Sequence, residues 1–165
     1  FAYHFGLVSG VEETKFAPNS PMTRAQLVTV LYRAAGSPEV TVTTNFEDLD
    51  VGAYYYNAVV WGNVMGVVNG TSDTTFSPNA YVTREQLATI LYRYAQEKQY
   101  DVSGRNDLSA FADAARVSAY AKEAMQWAVD AGLISGIGDN LVPQNGANRA
   151  QVATMLMRFA ENVNQ

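Results

Sequence analysis

The 165-residue chain contains no cysteine, which rules out disulfides, thiolate catalysis and cysteine-ligated zinc. Its single histidine, His4, has no Ser, Cys or acidic partner set beside it in a catalytic pattern. Cations are scarce as well. Eleven Lys+Arg face sixteen Asp+Glu, a formal charge of −5, without the basic excess that contact with a nucleic-acid backbone requires. Any anionic ligand must therefore be held by local cations and not by a global field. No apolar run approaches the ~18 residues of a membrane span, so no membrane insertion is expected. The acids Glu47-Asp48-Leu49-Asp50 and Asp113 lack calcium-loop spacing and are expected to cap the following helix or face solvent. Gly136-Ile137-Gly138 lacks the strand–loop–helix context of a nucleotide site, and nothing else in the chain calls for a metal or cofactor.

What the chain does contain is an internal repeat. Gly6-Leu-Val-Ser-Gly10 returns as Gly66-Val-Val-Asn-Gly70 and Gly132-Leu-Ile-Ser-Gly136. A Phe16-x-Pro-Asn19 turn returns as Phe76-x-Pro-Asn79 and, altered, as Leu141-Val-Pro143-Gln144. Each turn leads to a Thr/Asn-Arg-x-Gln box: Thr23–Gln26, Thr83–Gln86 and Asn148–Gln151. The boxes run into Leu31-Tyr-Arg, Leu91-Tyr-Arg and Leu156-Met-Arg. Copies two and three also begin with a matched segment, Phe46-x-Asp48 and Phe111-x-Asp113, followed by Trp61 and Trp127. Phe1 stands where those tryptophans stand, so the pattern predicts a chain that opens inside the first helix of copy one. The copies span residues 1–36, 45–96 and 109–162, with polar surface linkers over 37–44 and 97–108.

Each unit reads as two helices. The first covers roughly 54–65 and 120–131, with Ala124, Trp127, Ala128 and Ala131 on one face, and ends at Gly66 or Gly132 in a left-handed turn. The second opens with a capping box, in which Thr23, Thr83 or Asn148 accepts from the first turn while Gln26, Gln86 or Gln151 reaches back. Its apolar stripe is Leu27, Val30, Leu31 and Ala34 in copy one. The matching stripes are Leu87, Ile90, Leu91 and Tyr94, then Val152, Met155, Leu156 and Phe159. Three such stripes pack most simply as a central three-helix bundle with pseudo-threefold symmetry. The expected fold is therefore mainly α.

The residue that capping leaves unexplained is the box arginine. Arg24, Arg84 and Arg149 each occupy a first helical position, where the helix dipole disfavours a cation by about 0.3–1 kcal/mol. One reading is an anion bound at each helix start by free backbone N–H groups and the guanidinium fork. The other is a staple to a protein acid or carbonyl of a neighbouring repeat. Trp61 and Trp127 could fill the core or stack on a sugar, and their apolar helix favours the core. The run Tyr54-Tyr55-Tyr56 cannot be wholly buried on one helix, so an exposed ring beside a groove could serve as a sugar platform.

This ordered set, in three copies over essentially the whole chain, closely resembles the surface-layer-homology (SLH) repeat. The resemblance implies a pseudo-trimeric prism with ligand grooves between neighbouring repeats. It implies no catalysis, but attachment of a covalently linked cargo protein, N-terminal to Phe1, to the bacterial cell surface. The implied ligand is a peptidoglycan-associated cell-wall polysaccharide, often carrying a pyruvate ketal. The family's ligand-binding arginine falls on Arg24, Arg84 and Arg149, with Tyr54, Tyr120, Gly66 and Gly132 as further groove candidates. Two departures stand out: Gln replaces the family's Glu in all three boxes, and copy three has Asn148 for Thr and lacks the Phe-x-Pro-Asn form. A structural assembly module, or the non-catalytic tail of a wall-active hydrolase, are the other readings the pattern allows.

Overall fold

The computed structural model describes residues 17–163. Those residues form α1 (Arg24–Ala34), α2 (Tyr56–Val64), α3 (Arg84–Glu97), α4 (Lys122–Asp130) and α5 (Arg149–Asn162), with short 3₁₀ turns at Leu108–Ala110, Ala114–Arg116 and Ala119–Ala121. Among the described residues there is no strand, only isolated bridges, and no helix is long and apolar enough to cross a membrane. The fold is mainly α, as the two helical periods of each unit require.

All three capping boxes form. Thr23, Thr83 and Asn148 accept from the backbone N–H of Gln26, Gln86 and Gln151 at 3.2, 3.2 and 2.8 Å. The glutamine side chains accept in return from the cap N–H at 3.0, 3.2 and 3.1 Å. Gly66 and Gly132, both at φ +69°, end the turns after α2 and α4, a conformation glycine adopts without steric penalty.

The segments just before the boxes close a ring around the pseudo-threefold axis. Met22 N–H donates to Ala147 O at 3.1 Å, Ala147 N–H to Val82 O at 2.8 Å, and Val82 N–H to Met22 O at 2.9 Å. One segment from each repeat thus supplies one donor and one acceptor, and the cycle is complete with three.

The stripes of α1, α3 and α5 join one continuous core, in which Leu27, Leu31, Leu87, Leu91, Val152 and Leu156 are all buried. Closest helix approach is not within this trio, however. α1 packs on α2 and α3 on α4, so the second helix of one repeat leans on the first helix of the next. Trp61 and Trp127 fill the core, 7% and 2% exposed. They pack edgewise on Tyr94 and on Tyr92 and Phe159 respectively, and the Tyr92–Trp127 contact joins repeats two and three.

Two sequence expectations change. The segment 97–108 is not wholly a surface strap, since α3 runs on to Glu97 and Leu108 is buried in the core. The aspartates of the Phe-x-Asp segments neither cap a helix nor simply face solvent. Asp48 accepts from Phe76 N–H at 2.8 Å and Ser77 N–H at 2.7 Å, and Asp113 from Leu141 N–H at 2.7 Å and Val142 N–H at 2.8 Å. Each carboxylate clamps its own repeat's proline turn. The clamp holds Ser77 and Val142 at φ +60° and +46°, left-handed values that cost an L-residue about 1–2 kcal/mol. Copy three, without the Phe-x-Pro-Asn form, keeps the same turn.

Candidate functional site

The helix starts that could have held an anion are already filled. Arg24 N–H donates to Ala80 O at 2.9 Å and Ala25 N–H to Pro78 O at 3.0 Å. The same pair recurs as Arg84 to Asn145 and Glu85 to Pro143, and again as Arg149 to Ser20 and Ala150 to Pro18. With the third N–H capped by Thr23, Thr83 or Asn148, no free helix-start donor remains among these. The expectation of an anion seated on open N–H groups is therefore corrected. The proline turn of a neighbouring repeat takes that place, because its successive carbonyls match the spacing of the helix's first donors.

The arginine side chains follow the same inter-repeat logic. Arg24 donates through Nε to Phe76 O at 2.9 Å and through Nη2 to Asn69 O at 2.8 Å. Its guanidinium carbon also lies 4.6 Å from the Phe76 ring centroid. Arg84 repeats the pattern with Leu141 O at 2.8 Å and Ser135 O at 3.1 Å. Both are buried, and burial pushes both guanidinium pKa values down, opposed by Tyr120 and Asp48 for Arg24 and by Asp113 for Arg84. Arg149 is buried and partnered too. Arg24 and Arg84 are staples, then, with backbone carbonyls and not protein carboxylates as the acceptors. The box glutamines, which replace the family's glutamate, are occupied with capping and do not orient them.

A guanidinium has five N–H donors, and the two carbonyls use one on Nε and one on Nη2. Arg24 also lines a cavity of about 380 Å³. Its other walls are the Asn69–Thr71 loop, the α3 face carrying Gln86, Thr89, Ile90 and Arg93, and Tyr120 from the next repeat. A second groove of about 290 Å³ has the same plan: Arg84, the Ser135–Ile137 loop, and Gln151, Thr154, Met155 and Arg158 on α5. In the third position, Tyr54 neighbours Thr23 and Arg33 of the first repeat. The loop of that groove, at residues 9–10, lies outside the described residues, as does His4.

Tyr54 and Tyr120 are the exposed aromatics of the set, at 63% and 55%. The phenol of Tyr54 is raised above its usual pKa, chiefly by burial. Tyr120 is pushed up to about 12, by burial first and then by the charge and hydrogen bond of Glu85, with Arg24 and Arg93 opposing. Gly66 and Gly132 line neither groove; they act by ending helices. It is Gly70 and Gly136 that shape the groove loops. A Cβ on Gly70 would stand 2.2 Å from Ser72 O and 2.6 Å from Phe46 Cε1, and one on Gly136 2.8 Å from Phe111 Cε1.

The sequence reading missed Arg93. It is half-buried on the groove wall, makes no hydrogen bond or ion pair among the described residues, and has its pKa lowered by desolvation. A signal was available: Arg33, Arg93 and Arg158 each follow a box arginine by nine residues. That places them two and a half turns along the same helix, near the groove mouth. Arg158 differs in donating to Leu133 O at 3.3 Å.

Fold and grooves together define a module of helical repeats that exchange backbone and side-chain contacts with one another and leave clefts between them. The S-layer homology domain model matches residues 1–28, 46–88 and 110–153, and the chain belongs to that family, as three tandem repeats. It is 33% identical over 162 residues to the surface-layer 125 kDa protein of Lysinibacillus sphaericus, covering 96% of this chain and 13% of that protein. It is 23% identical to a cellulosome-anchoring protein of Acetivibrio thermocellus, over 96% of this chain and 36% of that one. An amylopullulanase of Thermoanaerobacterium thermosulfurigenes is 27% identical across 94% of this chain, yet only 8% of the enzyme is involved. The chain therefore spans a small part of these relatives. Family and relatives point to an extracellular location at the cell surface.

Proposed function

We propose that the chain is a non-catalytic anchoring module that binds an anionic cell-wall polysaccharide in the grooves between its repeats and so holds a covalently linked protein on the bacterial wall. The observation that carries this reading is Arg93. It is a half-buried cation without a hydrogen-bond or ion-pair partner among the described residues, facing a cavity that Arg24 also lines. Such a pair suits a carboxylate or phosphate, and charge-assisted hydrogen bonds there are worth roughly 1.5–3 kcal/mol each. Exposed Tyr120 offers an aromatic edge for a sugar ring, and the Asn69–Thr71 loop forms the facing wall.

The recognised anion is the carboxylate of a pyruvate ketal. Arg24, Arg84 and Arg149 combine two roles in this reading, stapling adjacent repeats with one edge and facing ligand with the other. The groove lined by Arg24 is the strongest candidate, because it carries both Arg93 and Tyr120. The enzymes among the relatives share only a small fraction of their length with this chain, which supports a module attached to varied cargo.

The test is cosedimentation with purified walls before and after extraction of the polysaccharide, and calorimetry with that polysaccharide before and after removal of pyruvate. Binding should disappear with extraction and weaken at least tenfold without pyruvate. Full retention on bare peptidoglycan would contradict the reading and favour a role in protein assembly.

A further inference from the structure

The three boxes differ at one buried position. Copies one and three carry Ala25 and Ala150, whereas copy two carries Glu85, 4% exposed and without an ion pair to a basic side chain among the described residues. All the contacts of its carboxylate run to the start of repeat three. Oε2 accepts from Ser118 N–H at 3.0 Å, and Oε1 accepts from the Ser118 hydroxyl at 2.8 Å and the Tyr120 hydroxyl at 3.3 Å. A buried charge is costly, and one that serves only to cap a loop could be replaced by a neutral acceptor at less expense. Its position beside the groove suggests a purpose there.

We propose that Glu85 is a positioning and specificity residue for the groove lined by Arg24, Arg93 and Tyr120, fixing the Tyr120 hydroxyl so that it presents an acceptor lone pair to the ligand. The inference rests on the anchoring reading of that groove and adds the polarity of one contact. Both Glu85 oxygens act as acceptors in these bonds, so the proton between Glu85 and Tyr120 belongs to the phenol and points inward. The raised phenol pKa keeps that proton in place throughout the neutral range. What Tyr120 Oη has left to offer is a lone pair. The two cations that act on Tyr120 across the cavity, the guanidinium groups of Arg24 and Arg93, are donors alone. The groove thus asks for a ligand with an anion and, beside it, a hydroxyl that donates: an acidic sugar with a free hydroxyl next to its charged substituent. Grooves opening on Ala25 or Ala150 lack this fixed acceptor, so the three sites are not equivalent in what they select.

The experiment is a double-mutant cycle read by calorimetry with purified pyruvylated wall polysaccharide, on the full chain. Tyr120→Phe removes the hydroxyl but keeps the exposed ring, and should weaken binding roughly five- to tenfold, the range expected for one hydrogen bond. Glu85→Ala, which restores the residue of the other two copies, should weaken it similarly. The double variant should be no weaker than Tyr120→Phe alone, because Glu85 acts through that hydroxyl. Independent, multiplicative losses would overturn the positioning role. If Tyr120→Phe binds within about twofold of the parent while Arg93→Ala does not bind, this inference fails and the anchoring reading stands. If the parent chain itself does not bind, both fail. Should Glu85→Ala fold poorly by far-ultraviolet circular dichroism, Tyr120→Phe decides the matter alone.

Discussion

Replacing Asp113 by alanine removes the acceptor of two short backbone hydrogen bonds, from Leu141 and Val142 at 2.7 and 2.8 Å. The consequence reaches further than the turn, since Leu141 O receives Arg84 Nε, Pro143 O receives Glu85 N–H and Asn145 O receives Arg84 N–H. A charge-assisted hydrogen bond contributes roughly 1.5–3 kcal/mol, so two at the lower end amount to about 3 kcal/mol. Asp113 is only 8% exposed, and the Leu141 donor is buried, so water cannot readily substitute. Asp48 makes the same two bonds in copy two but is solvent-exposed, and its loss should cost about half as much. Urea denaturation followed by circular dichroism measures both. Asp113→Ala should lower the midpoint by about 1–2 M with the slope unchanged, and Asp48→Ala clearly less. Equal effects, or a loss under about 1 kcal/mol for Asp113→Ala, would refute the argument that this carboxylate holds the turn and, through it, the joint between repeats two and three.

Val142→Gly should stabilise the fold by about 1 kcal/mol, because glycine relieves a β-branched residue held at φ +46°; a lowered urea midpoint would contradict this. Gly70→Ala should destabilise by about 1–3 kcal/mol and disturb the groove loop, since the new methyl meets backbone oxygens of Ser72 and Thr75; native stability would count against the close approach. Alkaline titration at 295 nm should show Tyr94 and Tyr120 ionising last, near pH 12. Burial raises the folded pKa of Tyr94, so its contribution is fully present below pH 10 and lost as pH rises towards 12, at about 1.4 kcal/mol per pH unit. Tyr94→Phe should flatten the fall in stability over that window, and an unchanged fall would contradict the assignment.

Much of this was legible in the chain because it is local and repeated. A capping box is four consecutive residues, an apolar stripe spans seven or eight, and Trp61 and Trp127 sit in helices whose neighbours are apolar. Three copies turned each weak signal into a strong one. The joints between repeats were not legible, since nothing in Thr83-Arg-Glu-Gln tells that the turn after Leu141 will fill its open donors. The two partners lie 57 residues apart at the Arg84 to Leu141 bond, and no periodicity links them. The Asp clamp hid for the same reason, although Phe-x-Asp and the proline turn occur together in both complete copies. Arg93 was passed over because a cation late in an amphipathic helix looks like an ordinary solvated residue. Only the cavity beside it, assembled from three repeats, gives it a purpose.

The central question is whether the first groove binds an anion through a cation the fold does not need. Arg93 tests this better than Arg24, whose removal also cuts the staple to Asn69 and Phe76. Calorimetry of Arg93→Ala with purified pyruvylated wall polysaccharide should show a loss of roughly tenfold or more, with circular dichroism and urea midpoint unchanged. Undiminished affinity in that variant, with the parent binding normally, would contradict the account.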